Sequence, residues 1–278
     1  MSDSESNIQS TSQAIAQFVK DVPIYPDLVQ PTAKALGEGL GGLLEWLMQP
    51  LAILGIKAQI NKKKIMDQLT AKLEEKPKDD LISPDPIIIG LTLQALAYTI
   101  NESDLREMFV YLIGAASDKK IASSVHPAFV EIIKQLSPNE AKLLSSIYKD
   151  AGKIVVDSAM PVLRARMQSE ARDGSEITPP IYSFTDFDSI SSTSLSVDNL
   201  VRLRIFQLDW SREIADERAY STVFSLVQNN EKKIRQQYSK DIERVESLLG
   251  SGNLRLGYEP GLLKVTTFGA IFMERTLK

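Results

Sequence analysis

The sequence predicts a mainly α-helical protein, with a multi-helix N-terminal domain and a helical, winged-helix-like C-terminal domain that carries one small β-hairpin. Three observations predict this. Apolar residues recur at three- and four-residue spacing in several stretches between Ile56 and Leu249. Capping residues, prolines and single glycines fall at the ends of those stretches. Strand-like segments around a turn signal occur only near the end of the chain.

Residues 1–13, polar and acidic, read as a disordered tail. Residues 14–136 read as the N-terminal helical domain. It opens with a short helix over Ala14–Lys20. Pro23, Pro26 and Pro31 lead into a helix over Thr32–Gln49. Ala33, Gly37 and Gly41 form a small-residue ladder there, and each interior glycine costs about 1 kcal/mol, so this helix depends on tertiary packing. Gly37, Gly39 and Gly42 spell GxGxxG. No strand precedes them and no acidic residue closes a second strand, so the dinucleotide reading is rejected. Leu40–Ile56 is apolar but holds Glu45, Gln49 and a central Pro50, which favours a buried, kinked helix over a membrane span.

Ile56–Glu75 reads as an amphipathic helix with Ile56, Ile60, Ile65, Leu69 and Leu73 on one stripe. A loop spans residues 76–86. Ile87–Ile100 reads as a buried helix. Asn101-Glu102-Ser103-Asp104 caps a helix that runs from Leu105 to Asp118. Val125-His126-Pro127 opens Ala128–Leu136. Ser137-Pro138-Asn139-Glu140 is a capping box with Pro at the first helical position.

Residues 137–278 read as the C-terminal domain. Residues 173–195, rich in Ser, Thr and Asp with Pro179-Pro180, read as a linker. Ser196 caps a helix over Val197–Leu208, and one long helix spans Arg212–Leu249. The hairpin lies near residues 253–266: two short strands, Asn253–Tyr258 and Leu262–Thr266, joined by a type II turn at Glu259-Pro260-Gly261-Leu262. A last helix covers Thr267–Leu277.

Composition narrows the chemistry. The 278 residues include no Cys and one His, which excludes disulfides, thiolate metal sites, thiol nucleophiles and multi-histidine zinc sites. The net charge of −4 falls on residues 1–136, residues 137–278 are balanced, and neither part has the basic excess of a nucleic-acid binder. The N-terminus lacks signal-peptide features, so a cytoplasmic location is expected. No Walker loop occurs. Glu131 and Lys134 read as a surface pair rather than part of a nuclease centre. His126, without a second His or a nearby nucleophile, reads as a helix-start residue bonded to backbone. No catalytic residue, metal ligand or cofactor is expected. Arg202, Arg204 and Arg212 are candidate phosphate contacts of the winged-helix outline.

Leu105–Ile113 (LREMFVYLI), Val125–Leu144 (VHPAFVEIIKQLSPNEAKLL) and Tyr25–Gly37 (YPDLVQPTAKALG) together resemble the abortive-infection alpha family of bacteria. Its motif positions here are His126, Pro127, Phe129, Leu136, Ser137 and Glu140, read as structural. The tail Thr266–Phe272 resembles the family's closing block. A glycine of the family pattern is replaced within Arg202-Leu203-Arg204-Ile205. The resemblance implies a role in defence against phage. The expected mode is binding of a protein partner or self-association, with the Arg212–Leu249 helix as the surface. DNA-binding regulation and membrane perturbation through residues 40–56 are the alternatives.

Overall fold

The computed structural model describes residues 55–99, 101–150, 159–169, 172–249 and 255–278. The readings over Ala14–Lys20, Thr32–Gln49 and nearly all of Leu40–Ile56 fall outside them. The chain forms two compact units. One takes in the described residues up to Ser145 with Met273–Lys278, and the other spans Ser146–Phe272.

The first unit is helical: α1 (Gly55–Glu74), α2 (Pro86–Thr99), α3 (Ser103–Ala116), α4 (Ala128–Lys134) and the start of α5 (Pro138–Asp150). Helix α3 is its centre. Leu105, Met108, Phe109, Leu112 and Ile113 recur at three- and four-residue steps and are all buried. They pack beside α1, α2 and α4. The α1 stripe contributes Ile65, Leu69 and Leu73, each fully buried. Helix α2 is apolar almost throughout, and its Thr92 hydroxyl is satisfied by donating to the Ile88 carbonyl at 2.6 Å. The loop after α1 is tied to the end of α3. Lys76 pairs with Asp118, Lys120 Nζ lies 2.6 Å from Asp80 Oδ2, and the Ile82 N–H donates to the Ser117 carbonyl.

The second unit departs from the expected hairpin. It holds a curled, five-stranded antiparallel sheet: β1 (Ala159–Ser169), β2 (Arg172–Glu176), β3 (Ile181–Tyr182), β4 (Phe206–Asp209) and β5 (Arg255–Val265). The order is β2-β1-β5-β4, with β3 also pairing β1. Residues 255–265 are one strand, where two strands and a type II turn were expected. Ten residues of β5 pair with β1, and Pro260 lies opposite Leu163. Proline is tolerated here for a local reason. Thr266 donates its N–H to Ile205 on the β4 side. Strand alternation turns residue 260 to that same side. There β4 reaches only Leu262, so the missing N–H breaks no ladder bond.

Three further expectations are corrected. The stretch 173–195 threads β2, β3 and the start of a helix. That helix, α6, spans Ile190–Arg202, so Ser189 rather than Ser196 precedes it, and Phe206–Asp209 is strand rather than helix. The single helix over Arg212–Leu249 is three, α7 (Ser221–Asn229), α8 (Glu231–Gln237) and α9 (Ser239–Leu249), after a 3-10 turn at Glu217–Tyr220. The first break has a visible cause: the Asn230 side-chain amide donates to the Leu226 carbonyl at 2.8 Å, closing α7. Residues 211–216 are held off the helix. The Ile214 N–H donates to the Tyr220 hydroxyl at 3.0 Å, and that hydroxyl donates to the Gly261 carbonyl at 3.1 Å.

These helices cover one sheet face. Leu163 and Ile181 pack with Tyr220, Val223, Val227 and Ile234, and Met167 and Ile177 pack with Ile242 and Val245. The apolar stripe expected to meet a partner is therefore spent on the chain's own sheet. Helix α10 (Thr267–Thr276) follows β5.

Candidate functional site

The two sets of residues singled out in the sequence lie in different units. His126, Pro127, Phe129, Leu136, Ser137 and Glu140 belong to the first unit, and Arg202, Arg204 and Arg212 to the second.

In the first set each residue builds a helix start or packs the core. His126 is exposed, and its Nδ1 accepts the Ala128 N–H at 3.0 Å. That bond requires Nδ1 to be unprotonated, which assigns the ring proton to Nε2 in the neutral form. Pro127 already has helical angles, φ −54° and ψ −32°. Phe129 and Leu136 are buried. At the start of α5 the Ser137 N–H donates to Glu140 Oε2 at 2.6 Å, and the Glu140 N–H donates to Ser137 Oγ at 3.2 Å. This is the reciprocal capping box, and it satisfies two N–H groups that the helix cannot. Glu131 and Lys134 form the surface pair expected of them, at 3.0 Å.

In the second set the arginines sit around the end of α6 and beyond β4. Arg202 is exposed, and its Nε and Nη2 donate to Asn199 Oδ1 at 3.0 and 2.7 Å. Arg212 is exposed and stands 3.6 Å from Asp209. Arg204 has φ 62°, the only positive φ outside glycine among the described residues. The left-handed region costs a residue with a Cβ about 1–2 kcal/mol. The position is a helix C-cap of the Schellman type: the Arg204 N–H donates to the Val201 carbonyl and the Ile205 N–H to the Leu200 carbonyl.

The densest polar cluster among the described residues was not anticipated. On the sheet face opposite the helices, β1 turns Arg164 and Arg166 toward Glu259 and Gly257 of β5. Glu259 accepts both Nε and Nη2 of Arg164, at 2.8 and 2.9 Å, and Nη1 of Arg166 at 2.8 Å. Arg164 also pairs with Glu176 of β2, and its Cζ stands 4.3 Å from the centre of a Trp210 ring. Trp210 lies against Gly261, where a Cβ would come within 2.4 Å of the ring. The Arg164 hydrogen bonds hold the Glu259 carboxyl below its ordinary range, and Glu259 in turn raises Arg164. Both groups therefore keep their charge near neutral pH. The cluster suits recognition or framework, and it supplies no group poised for proton transfer. Its sequence signal was the alternation of Leu163, Ala165 and Met167 with Arg164, Arg166 and Gln168, a period of two.

Among the described residues there is no group of three or more His, Asp or Glu that could hold a metal ion. No helix among them is long and apolar enough to cross a membrane. The winged-helix outline loses its hairpin to the five-stranded sheet. The family model described as abortive infection alpha matches residues 57–276. Comparison with curated proteins and with solved structures returns no match.

Proposed function

Because the chain belongs to the abortive-infection alpha family, whose membership implies a role in phage defence, we propose that it acts there by binding a protein partner or a second copy of itself, without chemistry of its own. The observation that carries this reading is the state of its densest polar cluster. Arg164, Arg166, Glu176 and Glu259 are bound to one another across three strands, so their charges are matched internally. The helix-start motif of the first unit likewise uses His126, Ser137 and Glu140 on backbone N–H groups.

The test is phage challenge of bacteria that express the chain, coupled to light scattering of the purified protein and affinity capture from infected cells. Protection together with self-association, or with a defined partner captured only with the functional protein, is the expected result. Protection by a strictly monomeric protein with no partner would count against binding and favour a catalytic effector.

A further inference from the structure

We draw no further inference here: the strongest candidate, the sheet face around Arg164, Glu259 and Trp210, belongs to the cluster already described, its charges are matched by one another, and nothing in the structure shows what covers it.

Discussion

Gly269 in α10 lies so close to the backbone of Ile205 that a Cβ added to it would stand 2.1 Å from the Ile205 carbonyl oxygen and 2.8 Å from its Cα. The contact is built by Thr266. The Thr266 N–H donates to the Ile205 carbonyl at 3.1 Å, and the Thr266 hydroxyl accepts the Gly269 N–H at 2.8 Å as the cap of α10. One threonine thus joins the end of β5, the cap of α6 and the start of α10.

This geometry reverses a propensity rule. In an exposed helix Gly→Ala stabilises by about 1 kcal/mol. Gly269→Ala instead forces a methyl into backbone that cannot rotate away, and we expect a loss of about 3 kcal/mol or more, at or above the upper end for overpacking. Urea unfolding measures it. A variant as stable as wild type would show that α10 can lift off Ile205 at little cost.

Helix existence was legible wherever one short segment carried its own reasons. The Leu105–Ile113 spacing and the Ser137–Glu140 box are local, and the structure keeps them. The sheet was mostly illegible because its reasons are long-range. Arg164 meets Glu259 at a separation of 95 residues, and nothing near either residue announces the other. Pro260-Gly261 mimics a turn, yet the ten-residue pairing with β1 overrides it. The Arg212–Leu249 stripe was real, but apolar period alone does not register breaks at Asn230 and Tyr238. The candidate site was missed for the same reason as the sheet, since its arginines and glutamates converge only when β1, β2 and β5 pair.

The capping box should behave as a unit. Ser137→Ala removes the acceptor of the Glu140 N–H, and a lost N-cap costs about 0.5–2 kcal/mol. Glu140→Ala frees the Ser137 N–H and should cost a similar amount. Each bond helps hold the other's geometry, so the double variant should lose less than the two single losses added, with a coupling of about 0.5 kcal/mol or more. Denaturant titration of all four proteins closes the cycle, and strict additivity would mean the two bonds act independently.

The Arg164–Glu259 cluster predicts an acid-sensitive sheet. Glu259 has its folded value held below the ordinary 4.5. A depressed carboxyl contributes stability that is fully present above the unfolded value and is lost as pH falls through the folded one. Glu259→Gln should therefore lose about 1.5–3 kcal/mol at neutral pH, the range for hydrogen bonds to charged groups. Its deficit against wild type should shrink as pH drops below 4.5. Glu176, whose side chain is 55% exposed, should matter less than about 1 kcal/mol on substitution by Gln. Equal effects of the two variants, or a deficit at Glu259 that does not change with pH, would place the sheet's stability elsewhere.

Tyr182 predicts a gain instead of a loss. Its ring is fully buried and stacks on Phe184, with centroids 5.3 Å apart and planes within 8°. Its hydroxyl has no hydrogen-bond partner among the described residues; Ser194 stands near enough to temper its ionisation without a bond of good geometry. Burial pushes the hydroxyl above its ordinary value of 10.0, so the folded state keeps the proton where the unfolded chain sheds it. Stability from this group is thus present below pH 10 and falls as pH rises beyond it. A buried, unbonded hydroxyl carries a desolvation penalty of about 1–3 kcal/mol. Tyr182→Phe keeps the ring and removes that penalty, so it should stabilise the protein by about 1 kcal/mol at neutral pH and flatten the alkaline decline. Thermal melts at pH 7 and above pH 10 measure both effects. A Phe variant that is less stable than wild type at neutral pH would mean that the hydroxyl is bonded in solution, through water or a reoriented Ser194, and that this side of β3 is more polar than its packing suggests.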